Sequence, residues 1–453
     1  MQIINEILAR EEGKTLEFKL DCSSLEPIVR TVIAFANTAG GQILIGIRDN
    51  SKELVGVEDP TSHESRLCNA FSDMISPQLI PDINVVSYRG LSLLLISVPH
   101  LSGPYYLRSA GLERGTFIRL GSSNRAADSE MLEELKRQAQ NVCFDETPLP
   151  GMNSEQIDFR VASELFAKHG KSIDINKLIN LGALQNIGGK VVPSIGGILL
   201  FGVKKEDTLP DARIKCARFK GTNSTVFLDS YETWTGLINA VDEVIAFIRR
   251  HTRQGLEIGA ASHQVMPEYP DIALREAVIN AIVHTDYSSK GMSIRVGIFD
   301  DRIEISNPGG LPFGISMEHL FSGISRLRNR VIGRVFHELR LIEQWGTGIS
   351  RIKETCYMAK LPEPRFEELG SSFRVTLYSG STPRISQRSW ELKLVEYLQI
   401  HTEISSKQAA DLWSISERGA RMKLKTLVDE KIITKIATNP NDPKTVYILH
   451  SGV

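Results

Sequence analysis

Three polar residues interrupt an apolar pattern in LREAVINAIVHTDY (274–287): Glu276, Asn280 and His284. They recur at i, i+4 and i+8, a spacing that lines side chains along one face of a helix. Leu274, Ala277, Val278, Ala281 and Ile282 fall on the other positions and form the stripe expected to be buried. Asn is a poor helix former, so its place here asks for a chemical reason. An amide oxygen is a hard, neutral ligand for Mg²⁺, an ion that takes few protein ligands and completes its shell with phosphate and water oxygens. A glutamate one turn earlier can deprotonate a water for attack on a terminal phosphate. Downstream, Asn307-Pro308-Gly309-Gly310 follows a strand pattern, and Trp345-Gly346-Thr347-Gly348 opens a helix over 349–359. Glycines before a helix N-terminus offer bare amides and a positive dipole end to phosphate. These residues together predict an ATP site. Glu276 is its base and Asn280 its Mg²⁺ ligand, with His284, Asn307, Gly309, Gly310, Gly346, Thr347 and Gly348 around the nucleotide. The competing reading makes Asn280 a structural partner for a buried polar group.

Two stretches carry charge suited to nucleic acid. Between 104 and 127, Arg108, Arg114, Arg119 and Arg125 alternate with Tyr105, Tyr106 and Phe117. Arginines beside aromatic rings can clamp phosphates and stack bases; a solvated strand face is the alternative. At the C-terminal end, the helix pattern of Ile415–Glu430 carries Arg418, Arg421, Lys423 and Lys425. Two helix patterns precede it, the second over Ser406–Leu412, and strand patterns at 432–437 and 445–449 follow. Three helices and a hairpin make a winged helix, whose third helix enters the major groove. DNA is therefore expected ahead of RNA as partner. Ser325–Arg330 adds three arginines between the glycine motifs, where a phosphate-contacting lid is expected.

These residues need elements to position them. Thr15–Leu20 alternates as a half-buried strand, with Glu17 and Lys19 facing out. A helix follows from Leu25 to Ala36, stopped by Gly40-Gly41. Strands are predicted at 42–48, 54–57, 92–98 and 115–120, and a helix over 129–140. The region 151–265 predicts helices at 154–169, 175–182 and 234–253, with strands at 194–203 and 212–219. Polar, proline-containing stretches at 145–156 and 379–389 read as domain edges.

The 453 residues suggest about three domains, and 42% apolar residues permit a real core. Lys and Arg number 53 against 54 Asp and Glu, which excludes a globally basic coat protein but not local basic patches. Five scattered cysteines with no Cys-x-x-Cys pair disfavour a disulfide framework and a zinc site. The N-terminal MQIINEILAREEGK lacks the apolar core of a signal peptide, and no apolar run approaches the roughly 18 residues of a membrane span. The chain is expected in the cytoplasm, off the membrane. No Gly-x-x-x-x-Gly-Lys-[Ser/Thr] loop occurs, so a helicase motor is not expected.

Glu276-x-x-x-Asn280, the glycine pair after a strand, and Gly346-x-Gly348 before a helix resemble the N, G1 and G2 boxes of GHKL (Bergerat-fold) ATPases. ISNPGGLP and SRLRNRVIGRVFHELRLIEQWGTGISRI are more specifically similar to the ATPase-like domain of bacterial RecG-like, Schlafen/AlbA-type regulators. One position departs from the GHKL pattern: Asn307 or Ser306 stands where an Asp contacts the adenine amino group. EGKTLEFK (12–19), VIAFANTAGGQILIGIRD (32–49) and residues 104–127 resemble the AlbA_2 domain of the Schlafen family, which implies nucleic-acid binding. Some Schlafen cores are metal-dependent endoribonucleases acting on tRNA. That resemblance implies a second site in which Glu12, Glu17 and Asp49 hold Mn²⁺ or Mg²⁺; a surface pair at Glu17 and a turn at Asp49 are the alternatives. The expected fold is a multidomain α/β (α+β) chain. It comprises an AlbA_2/Schlafen-like domain (1–144), a connecting α/β region (151–265), a GHKL-like α/β sandwich (266–380) and a winged helix (388–453). The expected function is an ATP-responsive nucleic-acid-binding transcriptional regulator, homo-oligomeric. The alternatives are a Schlafen-like endoribonuclease acting on tRNA or rRNA, with phage defence as one setting, and a non-catalytic interaction protein.

Overall fold

Leu16 and Phe18 face one side of a strand and Glu17 the other, and the first sheet of the computed structural model is built on that alternation. Strand Leu16–Lys19 pairs in parallel with Gly41–Ile45, which pairs antiparallel with Leu91–Val98; Asp82–Tyr88 forms the edge. Helix Leu25–Thr38 makes the crossover that parallel pairing requires. On one face, Ile4 and Ile7 of helix Gln2–Ala9 pack on Leu16, Phe18, Leu44 and Leu93. On the other, Ile28, Val32 and Phe35 join Leu67 and Phe71 of helix Pro60–Met74 against Ile43, Ile45, Leu94 and Ile96. Each such side chain contributes about 1.5–3 kcal/mol when fully buried. Gly40 turns the chain at φ +72, where a Cβ would lie 2.9 Å from both Val98 O and His100 N. The strand expected at 54–57 is a single bridge between Ile47 and Leu54. Hairpin Phe117–Leu120/Ser123–Ala126 follows. Helix Ser129–Ala139 is capped by Asp128, which accepts from Met131 N at 2.8 Å.

The structure describes residues 2–48, 52–252, 254–258, 263–343, 346–380, 390, 393–394, 397–398, 401, 403–413, 415–429, 433–436 and 445–449. They fall in two units, Met1–Ser379 and Gly380–Val453. Within the first, a six-stranded sheet runs in the order Phe227–Thr233, Ile214–Phe219, Ile294–Ile298, Arg302–Pro308, Ser372–Tyr378, Arg365–Leu369. Only Ile214–Phe219 and Ile294–Ile298 pair in parallel. Helices Leu237–His251, Asp271–His284 and Gly348–Met358 contribute to its core. The separation expected at 265/266 is corrected here: strands on both sides of it hydrogen-bond to each other, and one apolar core extends from Ile157 to Leu377.

The strand expected at 194–203 is also corrected. Ile195–Phe201 is a helix, with Ser194 accepting from Gly197 N at 3.0 Å as its cap. Every residue of it is buried, so no polar face reports the helical period. A Cβ on Gly197 would lie 2.0 Å from Ala183 O, and one on Gly196 2.6 Å from Val331 Cβ; the two glycines let this short helix sink into the core.

The second unit holds helices Ser406–Trp413 and Glu417–Asp429. Its three-stranded sheet has Val446–Leu449 between Ile404–Ser405 and Ile433–Ile436. Residues 390, 393–394 and 397–398 are helical, and Leu394 and Leu398 pack with Ala409, Trp413, Leu424 and Leu427. Among the described residues, no helix is long and apolar enough to cross a membrane.

Candidate functional site

Helix Asp271–His284 is buried on nearly every side, by Ala273, Leu274, Ala277, Val278, Ile279, Ala281, Ile282 and Val283. The line Glu276, Asn280, His284 borders a cavity of about 800 Å³. Asn307, Gly310, Gly346, Thr347 and Gly348 line the same cavity. Segments some 70 residues apart in sequence thus converge on one space. Gly309 lies behind the wall rather than on it. Its N–H donates to Ser371 O at 2.7 Å, and at φ +85 a Cβ there would lie 1.9 Å from Arg328 Nη1.

Gly348 opens helix Gly348–Met358, and its Cα faces the carboxylate line. A Cβ would lie 2.3 Å from Glu276 Oε1 and 3.1 Å from Asn280 Nδ2. Thr347, at the cap position, makes no capping bond of its own, so the first-turn amides of this helix have no side-chain acceptor from it. Buried Asn307 donates to Pro308 O at 3.0 Å, and its carbonyl oxygen takes no donor among the described residues.

Burial pushes the Glu276 carboxyl up from its ordinary range; Arg351, at 3.7 Å, and a hydrogen bond from Asn280 act in the opposite direction. Arg351 also pairs with Glu343 at 2.6 Å. Burial, assisted by the charge of Arg328, pushes His284 down to about 4, and its Nδ1 is buried without a partner. A neutral imidazole therefore faces the cavity at neutral pH. Most charges around the cavity are already matched. Arg330 and Arg334 pair with Glu146, and Glu338, held down to about 2 by Lys171 and Lys177, is neutralised by them. Arg326 differs: it donates to Phe313 O at 3.1 Å and has no carboxylate partner among the described residues. Of the other two arginines in the 325–330 stretch, Arg328 turns to His284 O and Gly310 O, at 3.3 and 3.1 Å. Arg330 turns to Asn141 O at 2.7 Å.

The N-terminal residues are arranged otherwise. Glu12 Oε1 accepts from Phe18 N at 2.6 Å. Glu17 is largely covered, and borders an open cavity of about 560 Å³ with Lys19, Arg30 and Asn124. It is 6% exposed, under helix Leu25–Thr38, and ion-paired to both Lys19 and Arg119. Asp49 lies outside the described residues. Among those described, no group of three or more His, Cys, Asp or Glu is arranged to hold a metal. Arg119 is likewise corrected as a nucleic-acid contact. It is 1% exposed, lies over the Phe35 ring, and donates to Gly13 O at 3.0 Å and Asn124 Oδ1 at 2.9 Å. A phosphate cannot reach it without opening the fold. Arg108 and Arg125 are exposed, although Arg108 also donates to Ile75 O at 3.2 Å.

On helix Glu417–Asp429, the stripe Arg418, Arg421, Met422, Lys425 faces out, opposite buried Ala420, Leu424 and Leu427. Arg421 pairs with Glu417 at 2.7 Å. Lys423 turns inward: its ammonium sits 4.5 Å from the centre of the Trp390 ring and 5.4 Å from that of Trp413. Reading this helix by charge alone included Lys423, and reading the cavity motifs passed over Arg351 on helix Gly348–Met358. The signal for Arg351 was its place three residues into the helix that Gly348 opens.

Two family models match segments of the chain. Residues 12–128 match "Schlafen, AlbA_2", and residues 291–377 match "Putative ATP-dependent DNA helicase recG C-terminal". Among solved structures, the DIP2311 protein of Corynebacterium diphtheriae is 20% identical over 99% of this chain and 96% of its own, with a TM-score of 0.45. The N-terminal domain of a RecG-related protein from Nitrosomonas europaea is 28% identical over 28% of this chain and 91% of its own, with a TM-score of 0.23. No curated protein matches the chain.

Proposed function

We propose that the chain is a nucleotide-responsive nucleic-acid-binding protein and regulator of transcription, with Mg-ATP held in the cavity beside Glu276. The observation that carries this reading is the convergence of Glu276, Asn280, Asn307, Gly310, Gly346, Thr347 and Gly348 on one cavity of about 800 Å³. The residues present fit the group. Asn280 offers a hard neutral oxygen for Mg²⁺. Gly348 leaves open a volume that a Cβ would fill, next to the first-turn amides of an 11-residue helix. Arg326 brings a positive charge that forms no ion pair among the described residues. Asn307, through its carbonyl oxygen, would accept from an exocyclic amine as an aspartate does, without the charge. ATP, when bound, supplies a terminal phosphoryl group open to attack by water. Glu276 would take the proton of that water, its carboxylate oriented by Asn280 and Arg351.

The match to AlbA_2 over 12–128 and to the RecG-type segment over 291–377 supports the nucleic-acid half of the reading. In it, the N-terminal domain binds nucleic acid through exposed arginines such as Arg108 and Arg125. The C-terminal unit acts as a winged helix whose Arg418, Arg421 and Lys425 face DNA. Buried pairing of Glu17 with Arg119 and Lys19 favours this over a nuclease centre, because a carboxylate already neutralised by two cations is a poor ligand for a third. Anisotropy titrations of labelled duplex and single-stranded oligonucleotides, with and without Mg-ATP, test it. Salt-dependent binding that shifts with ATP is expected; affinity that is independent of salt and ATP would contradict it.

A further inference from the structure

We infer that the N-terminal segment of the chain sets the nucleotide affinity of the cavity by gripping, from outside, the strap of residues 309–328 that forms one of its walls. The inference rests on the nucleotide reading above. Gly310, Leu311, Pro312, Ile315 and Arg326 of the strap line the cavity. Each hold on the strap comes from a residue far away in sequence. Lys14 Nζ pairs with Glu368 at 2.8 and 2.9 Å, and the same Glu368 Oε1 accepts from Leu311 N at 2.9 Å. Thr38 O accepts from Gly314 N at 2.5 Å. Phe313 packs on the cluster of Ile118, Ala127 and Leu135. Glu134 stands 3.7 Å from Arg328.

His100 supplies a further contact. Its Nδ1 meets Ala36 O at 3.0 Å, an atom that can only accept, so Nδ1 carries the proton and Nε2 is a bare lone pair. That Nε2 is buried without a partner. It and Arg326 Nη1 flank Gly314, 3.0 and 3.2 Å from where a Cβ would begin, at φ +88. Arg326 of the cavity is thus packed beside a histidine of the N-terminal domain.

The other end of the strap is tied to the catalytic helix. Arg328 donates to His284 O, and Asn329 Nδ2 to Val283 O and Thr285 O at 2.9 and 2.7 Å, closing the C-terminal turn of the helix that carries Glu276. A displacement of the strap therefore moves one wall of the cavity and the end of this helix together. Lys14 and Thr38 touch neither the cavity nor its ligand; they are positioning residues. Linkage makes the effect reciprocal: a nucleotide that selects one strap position stabilises the N-terminal contacts that favour it.

Hydrogen exchange on the full chain, with and without Mg-ATP, tests this in wild type, Lys14→Ala, Lys14→Arg and Asn280→Ala. In wild type the nucleotide should slow exchange at 271–284, 309–328 and 346–358, and also at 10–19 and 111–126. Lys14→Ala should lose the second set and bind ATP about fivefold or more weakly, the low end of ordinary coupling. Lys14→Arg should retain both. Glu368→Gln keeps an acceptor for Leu311 N and removes only the charge, so it should behave as Lys14→Ala does even if that variant folds poorly. Wild-type protection confined to the cavity segments, or full ATP affinity in Lys14→Ala and Glu368→Gln, would overturn the inference and leave the nucleotide reading standing. No protection anywhere in wild type would overturn both.

Discussion

Gly348→Ala tests how the cavity is assembled. The added methyl would begin 2.3 Å from Glu276 Oε1 and 3.1 Å from Asn280 Nδ2. A carbon–oxygen contact is comfortable near 3.3–3.6 Å, so the carboxylate must retreat by roughly 1 Å. It is the far end of a flexible side chain and can do so. The retreat would pull it away from Asn280 and Arg351, which orient it. A misplacement of about 1 Å of a catalytic group costs up to about 100-fold in rate, so we expect ATP turnover to fall about 10- to 100-fold. Stability should fall by about 0–2.5 kcal/mol. Overpacking costs about 1–3 kcal/mol, while replacing a helical Gly with Ala returns roughly 0.5–1 kcal/mol. Single-turnover ATP hydrolysis, beside a thermal melt, measures both quantities. Wild-type turnover in the variant would refute the proposed juxtaposition of 348, 276 and 280. A collapse of the melt would show that this glycine serves the fold instead.

Further expectations concern other parts of the molecule. Arg119→Met leaves Glu17 buried with one of its two cations, and should destabilise the first unit by about 3–5 kcal/mol in urea unfolding; Glu17→Gln/Arg119→Met should recover most of the loss, and equal stability of Arg119→Met and wild type would contradict the buried pair. His284 binds a proton near 6.5 when unfolded and only near 4 when folded. The unfolded chain then binds more protons, so this contribution to stability is complete above about 6.5 and is lost as pH falls through about 4, at up to ~1.4 kcal/mol per pH unit. His284→Gln should flatten that part of the stability profile, and an unchanged profile would refute the assignment. Arg418→Ala with Lys425→Ala should reduce the salt slope of DNA binding by about 2. Lys423→Ala should instead lower the melting temperature of the second unit, because its charge lies over Trp390 and Trp413; the reverse pattern would show the helix is oriented otherwise.

The line 276, 280, 284 was legible in the sequence because helical periodicity is local: four residues determine which side chains share a face. Its consequence was legible too, since polar groups on an otherwise apolar helix need somewhere to open. What lay beyond sequence reasoning is non-local. Alternation in Leu16–Lys19 separates Glu17 from Leu16 and Phe18, but does not say that a helix covers the second face as well. The sheet is buried on both sides, and Glu17 and Arg119 are paired inside it. An apolar run such as 195–201 carries no period when all of it is buried, so the capping Ser194 and its two glycines were the only local signs of a helix. The parallel pairing of 214–219 with 294–298 spans 80 residues and erased the boundary expected at 265/266. Lys14 and Glu368 are 354 residues apart, and no pattern in either segment announces the other.

The central claim is that the cavity beside Glu276 holds Mg-ATP through Asn280. Calorimetric titration of the purified chain with Mg-ATP, beside Asn280→Ala, tests it most directly. Micromolar binding by the wild type, weakened at least 10-fold in Asn280→Ala while both proteins melt alike, is the predicted result. No heat of binding in either protein, or equal affinity in both, would contradict it.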